Sequence, residues 1–463
     1  MKPQPQVNSP QARDLAYSLH PYTNARQHEE RGPIIIERGD GIRVYDSEGK
    51  EYIEALAALW SVGLGYGEER LVQAAAEQMR KLPYYHSFSG KANNPAIDLA
   101  ERLVAMTPDR LTRAFFANSG SEANDTIVKM VWYYNNAIGR PNKKKIVARI
   151  RGYHGITIAS GSLTGLPWNH REFDLPIAGI LHTACPHHYC FAFPGESEEE
   201  FASRLAGQFE QLVLAEGPDT VAAFIGEPVM GAGGVIVPPR TYWEKMQAVC
   251  RKYDILVIAD EVITGFGRTG TPFASERFGI DPDFMTLSKQ ITSSYMPLSA
   301  VMFSDAIYQG IADNTAKIGT FGHGFTASGH PVATAVAVEN LRIIEERKLF
   351  AHAAKVGEHL QAKLRETFTD HPLVGEVRGV GLIAALEMVA DKKTRRQFDP
   401  LGKVGAYFFE RGHHHGVLIR NVQDSIAICP PLVVTESDVD EIVRRLSLTL
   451  DDTLAFARKT FAA

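Results

Sequence analysis

The chain has 463 residues, 44% hydrophobic and 22% charged, with a net charge of −5 and a pI near 6.4. A chain this long does not close around one core, so two domains are expected. The slight acidity leaves no basic footprint for nucleic acid or a membrane face, and no run approaches the ~20 apolar residues of a membrane span. Four cysteines are too few for a disulfide scaffold, so a cytoplasmic protein is expected.

Taken in order, the first 30 or so residues show no period and read as a Pro-rich arm without a core or an apolar signal segment. From Ile34 to Tyr52, short β-rich runs are split by Gly-Asp-Gly and Ser-Glu-Gly turns, which predicts an antiparallel meander. An apolar, Gly-punctuated loop carrying Trp60 follows, then helices over Glu68–Lys81 and Pro95–Met106. Beyond these, strand and helix alternate. Strands are predicted at Arg113–Ala117, Lys143–Arg149, Val221–Gly226, Ile255–Ile258, Phe284–Leu287 and Ser299–Phe303. Helices are predicted from Glu122, near Glu198–Ala215, over Thr241–Tyr253 and over Val332–Leu349. Such alternation of short, wholly apolar strands with helices argues for a mostly parallel, doubly wound sheet. The tail from Ala351 mixes helices and short strands. The expected division is residues 1–70 as an arm and part of a small domain, 71–335 as a large domain, and 336–463 as the rest of the small one.

Parallel strands end at the edge where ligands bind. Asp260 and Glu261 stand at the end of one apolar strand, and Ser288 and Lys289 at the end of another. A lysine whose charge is disfavoured by burial is a nucleophilic amine. Paired with an aspartate that holds a pyridinium nitrogen, it is what pyridoxal phosphate requires. The plainer alternative is a turn-capping aspartate and a surface lysine. The turn Asn118–Ser121, between a strand and a helix, makes Gly120 and Ser121 candidates for an anion, or Ser121 a simple N-cap. Tyr153 in GYHG can cover a flat ring. Glu227 after the strand FIG can support a cationic network, or cap a turn.

Two patterns mislead. Gly265–Gly270 satisfies G-x-G-x-x-G, but DEVIT separates it from its strand and no long helix follows, so a dinucleotide site is not expected. Cys185–Cys190 (CPHHYC) crowds cysteine with histidine, but lacks a matching ligand set elsewhere, so no metal is expected. The run His413–His415 reads as a solvated helix end.

The motifs NSGSEAND, GYHG, GEPV, DEVITGFGRTG, LSKQITSSYMPLSA and HGFTASGHP occur in this order. Together they resemble the class III aminotransferases, pyridoxal-phosphate enzymes of fold type I, and most closely the ω-transaminase (amine:pyruvate) branch. The resemblance spans nearly the whole chain. It implies a mostly parallel seven-stranded sheet in a large domain, a smaller α+β domain from both termini, and pyridoxal 5'-phosphate as cofactor. It implies that Lys289 forms the Schiff base with the cofactor aldehyde and that Asp260 pairs with the pyridine nitrogen. Tyr153 and Val262 would cover the two ring faces, Gly120 and Ser121 would hold the phosphate, and Glu227 would support the ring-side network. Thr326, with Phe325 beside it, would reach the phosphate from a partner subunit of a homodimer or dimer of dimers. Trp60 and Phe88 would wall the substrate pocket, and Arg420 would receive a substrate carboxylate, the alternative being a structural pair with Asp424. The implied reaction moves an amino group from an amine or ω-amino acid to a keto acid, pyruvate, by a ping-pong route. A racemase or aminomutase of the same class is the alternative. Ser293-Ser294 departs from the glycine pair many relatives carry there, with no loss of function expected.

Overall fold

The computed structural model of the protein describes residues 8–461. Residues 1–7 of the predicted arm lie outside that range. The described part of the arm is two short helices, α1 (Pro10–Tyr17) and α2 (Ala25–Arg31). Each is started by a side chain rather than by an apolar face. Ser9 accepts from the Ala12 amide with Pro10 in the first turn, and Asn24 accepts from the Gln27 amide. No residue from Asn8 to Gly41 is buried, so no helical period exists for the sequence to display.

The predicted meander forms as β1 (Ile36–Asp40), β2 (Arg43–Asp46) and β3 (Glu51–Glu54), all antiparallel. β3 then pairs in parallel with Val417–Leu418, placing Ile53 beside Val417 and Glu54 beside Leu418.

The large sheet has seven strands. In chain order they are β4 (Leu111–Ala117), β5 (Lys145–Arg149), β6 (Ile180–Thr183), β7 (Val221–Gly226), β8 (Leu256–Asp260), β9 (Phe284–Leu287) and β10 (Ser299–Ser304). In space the order is β4-β10-β9-β8-β7-β5-β6. The sheet is parallel except for β10, which runs antiparallel to both β4 and β9. The link 288–298 holds only a single 3-10 turn, too short for a crossover helix, so the chain reverses. β6 is the one strand sequence patterning passed over. It is four residues long and carries a polar His182. The helix Asp305–Ile318 was also passed over, because its only buried residues are Ile307 and Ile311.

Side chains alternate across the sheet. Ile146, Ile225 and Ile258 face the helix Gly120–Ala137. Val147, Phe224 and Val257 face the helices Glu198–Glu216 and Tyr242–Lys252. Burying each such side chain contributes roughly 1.5–3 kcal/mol, and this packing fixes the spacing of the strand tips. A second core joins Ile42 and Ile53 of the meander to Leu360, Leu386, Phe408 and Leu446 of the tail. Its antiparallel sheet has the order Val374–Val380, Ile383–Met388, Ser425–Ile428, Arg420–Val422.

The histidine run is less solvated than predicted. His414 is exposed, but the His413 ring packs on Phe409 at 4.5 Å between centroids, and burial pushes its pKa down to about 4. His415 lies 2.9 Å from Asp452. No helix among the described residues is long and apolar enough to cross a membrane.

Candidate active site

Adjacent strands β8 and β9 place Asp260 opposite Thr286 and bring Lys289 close behind it. The Asp260 side chain is 3% exposed and accepts from donors on three segments. Its Oδ2 accepts from Asn124 Nδ2 at 3.0 Å and lies 2.8 Å from His154 Nδ1, while Oδ1 accepts from the Val262 amide at 3.1 Å. An ionised carboxylate only accepts, so His154 donates from Nδ1. Asn124 Oδ1 accepts in turn from Thr286 Oγ1 at 2.7 Å. Neither Asn124 nor His154 was singled out from sequence, although both lie inside the motifs NSGSEAND and GYHG. What joins them to Asp260 is tertiary.

Lys289 sits in the left-handed region at φ 48°. For a long side chain this is a strained turn. It throws the ammonium inward, where no carboxylate among the described residues reaches it, and Nζ lies 5.5 Å from the centre of the Trp60 ring. Burial pushes its pKa down to about 8 despite the opposing pull of Asp260. Ser293 and Ser294 also have positive φ, of 48° and 59°. That explains why glycine would suit these positions. Ser293 offsets the strain by donating to Asn340 Oδ1 at 2.8 Å and accepting from the Leu64 amide at 3.2 Å.

The helix Gly120–Ala137 begins beside this pair. Its N-cap is Ser119, which accepts from the Glu122 amide, so Ser121 is not the cap. The first amides of a helix have no acceptor within it and favour an anion. Gly120 keeps this helix start close to the strand tip: a Cβ would lie a tight 3.2 Å from Val262 Cγ2. Ser121 Oγ accepts from the Ile156 amide at 3.2 Å.

Glu227 does not pair with a cation through its carboxylate. Its oxygens accept from the amides of Tyr153 at 3.0 Å and Gly231 at 2.8 Å, and burial raises its pKa. It therefore anchors the backbone of Tyr153. Trp60 is held by a contorted loop in which Ala57, Ala58 and Trp60 all have positive φ. Both cations share its ring, since the Arg420 guanidinium carbon lies 5.2 Å from its centre.

Arg420 is not paired with Asp424, whose oxygens accept from the amides of Gly402 and Gly405. Instead it faces a cavity of about 1110 Å³, lined with Tyr22, Leu59, Trp168 and Phe173 among others, and burial lowers its pKa. Glu54 lines the same cavity. Burial raises its carboxyl to about 7, its Oε1 accepting from the Leu56 amide at 3.0 Å. Because that value is above the ordinary 4.5, folding stability falls as pH rises from about 4.5 to 7. Glu54→Gln is therefore expected to raise stability by about 2–3 kcal/mol at pH 8 and by almost nothing at pH 4.5. Thermal midpoints measured across that range would check this.

Phe88, Phe325 and Thr326 make their contacts elsewhere. A Cβ at Gly324 would meet the Phe88 ring at 3.2 Å. Tyr84 Oη donates to the Thr326 carbonyl at 2.8 Å, and the Phe325 amide donates to Ser328 Oγ at 3.1 Å.

The two misleading patterns have structural roles. Within Gly265–Gly270, Arg268 Nη1 donates to the Leu382 carbonyl at 3.1 Å, docking the loop to the tail. In CPHHYC, His187 lies 2.9 Å from Glu376, and His188 bonds the Glu196 carbonyl at 2.8 Å. Burial raises the thiols of Cys185 and Cys190 to about 11 and about 12.

The family profile for aminotransferase class-III matches residues 24–450. The chain is 51% identical over 436 residues to gamma aminobutyrate transaminase 1, mitochondrial, of Solanum lycopersicum, covering 94% of this chain and 84% of the relative. It is 49% identical to gamma aminobutyrate transaminase 3, chloroplastic, of the same plant, over 94% of this chain and 84% of that one. Among solved structures, the ω-transaminase from Pseudomonas jessenii in complex with PMP superposes with a TM-score of 0.96 at 60% identity, covering 97% and 99% of the two chains. The organellar names of these relatives overturn the expectation of a cytoplasmic enzyme.

Proposed function

The chain belongs to the class III aminotransferases, and from that premise we propose that it moves an amino group from an apolar amine or an ω-amino acid to pyruvate, in two half-reactions sharing one site. The observation that carries this reading is Arg420. Among the described residues it is a guanidinium without a carboxylate partner, on the wall of an otherwise largely apolar cavity, beside the same indole as Lys289. Such a wall suits an apolar amine, and the guanidinium suits the carboxylate of a keto acid or of an ω-amino acid. Similarity to ω-transaminases and to gamma-aminobutyrate transaminases supports the same two classes of donor.

Pyridoxal 5'-phosphate is the cofactor of this family, and the residues fit it. A glycine-bounded helix start suits the phosphate, a triply held carboxylate suits a cationic ring nitrogen, and a buried amine suits the aldehyde. When bound, the cofactor supplies an electron sink. On our reading Gly120 and Ser121 bind its phosphate, while Tyr153 and Val262 cover its faces. Glu227 fixes the Tyr153 backbone. Asp260, oriented by its three donors, would face the ring nitrogen and hold a proton there. Lys289 would be the covalent anchor and, as a free amine, the base placed to carry the substrate's proton.

Holoenzyme given an amine donor is expected to produce alanine only when pyruvate is present. Alanine formation without a matching carbonyl product, or racemisation of alanine alone, would overturn the reading. Arg420→Ala is expected to raise the KM for pyruvate by about tenfold or more, a loss of about 1.4 kcal/mol. The half-reaction with a carboxylate-free amine such as phenylethylamine should change far less. Equal losses in both would make Arg420 structural.

We further read the enzyme as a homodimer or dimer of dimers, with Phe88, Phe325 and Thr326 completing the partner's site. The exposure of Phe88, at 45%, and of Thr326 supports this. A two-fold interface would let each subunit finish the other. Sedimentation at assay concentration is expected to show no active monomer.

A further inference from the structure

The arm has a polar centre that the reaction does not use. Asp14 on α1, His20 in the link, and His28 on α2 bring one carboxylate and two imidazoles together. His20 Nε2 lies 2.9 Å from both Asp14 oxygens, and His28 Nε2 lies 3.0 Å from Asp14 Oδ2. The two rings stand 4.3 Å apart between centroids. One ligand atom from each residue falls within 4.8 Å of the others.

We propose that Asp14, His20 and His28 form a binding site for a divalent transition-metal ion of the zinc class. The ligand chemistry is suitable, since borderline ions take imidazole nitrogen together with carboxylate oxygen. The geometry is suitable too. Metal–ligand bonds of about 2.0–2.2 Å place neighbouring ligand atoms roughly 3.0–3.5 Å apart, so the two Asp14–imidazole separations need widen only slightly. Each ring binds through Nε2 with its proton moved to Nδ1, so no net proton is released from a neutral imidazole. The side chains of His20, Asp14 and His28 are 34%, 19% and 14% exposed. An ion can enter, and water completes its coordination.

The arm gives such an ion a consequence. Neither α1 nor α2 buries a residue, so no apolar face fastens them to each other. The cluster is a clasp around the segment 21–27. That segment carries Tyr22 and Thr23 into the lining of the substrate cavity. Tyr22 Oη accepts from Asn169 Nδ2 at 2.6 Å, and the Arg420 guanidinium carbon lies 5.8 Å from the Tyr22 ring centre. Metal bound at the clasp would therefore hold Tyr22 over the mouth of the site.

The test uses tag-free holoenzyme dialysed against chelator and titrated with zinc chloride by calorimetry. His20→Gln and His28→Gln are measured alongside, with Cys190→Ser as a control for the CPHHYC segment. The expected result is one zinc ion per subunit in the wild type and in Cys190→Ser, bound at least tenfold more weakly in each histidine variant. Zinc should also slow tryptic cleavage after Arg13, Arg26 and Arg31 in the wild type but not in the variants, a readout independent of activity. Zinc binding of equal strength in all four proteins, or none in the wild type, would overturn the proposal.

Discussion

Lys289→Ala is expected to leave a folded protein whose transamination falls by about 10³-fold or more, since covalent anchor and proton carrier are lost together. The fold should not suffer. The ammonium is desolvated and lacks a carboxylate partner, so its removal takes away an unfavourable burial. Circular dichroism and thermal midpoint would check the fold, and single-turnover kinetics with a saturating amine would check the chemistry. Retention of a sizeable fraction of wild-type turnover, without an added external amine, would contradict the assigned role. A pH dependence follows from the same group. Burial lowers its pKa to about 8, so in the apoenzyme the neutral, nucleophilic amine accumulates as pH rises through about 8 rather than 10.5. The rate of cofactor capture by apoenzyme should climb over that interval and level off above it. A rate that keeps climbing towards pH 10.5 would mean the amine is solvated.

Asp260→Asn is expected to retain cofactor but lose about 10²–10³ in half-reaction rate, the usual size of one missing preorganised electrostatic partner. It should also lose about 1–3 kcal/mol of stability, the cost of an unmet buried polar group. Both oxygens of Asp260 are acceptors, so an amide in either orientation points a donor at another donor. His154 can relieve part of the conflict by moving its proton to Nε2, an atom that has no partner of its own. The variant should therefore fold and fail chiefly in rate. Stopped-flow half-reactions with saturating donor would decide, and near-normal rates would show that the carboxylate serves another purpose.

The two strand tips were legible because burial is local information. β8 and β9 are short and mostly apolar, such runs belong inside a parallel sheet, and the polar residues at their ends fall at its ligand-binding edge. Gly120 was legible for a related reason, as a small residue at a helix start. The surroundings of Asp260 were not. His154 and Asn124 are 106 and 136 residues from it in sequence, and no periodicity links a carboxylate to donors so remote. Glu227 shows the same limit. Its position at a strand end marked it as a site residue, yet its partners proved to be two backbone amides rather than a cation.

Amino-acid order alone therefore determined the class of fold, the placing of an acid and a lysine at the tips of two strands, and the small-residue start of a helix beside them. Each depends on burial pattern or turn chemistry within a few residues. Tertiary structure decided the reversal of β10, the cluster of the two arm helices, and above all the place of Arg420. That arginine lies near Trp60 because β3 pairs with Val417–Leu418 across more than three hundred and fifty residues of chain. Such a contact follows from how the free edge of β3 and a distant two-residue strand pair and bury Ile53 beside Val417, and neither segment carries the other's address.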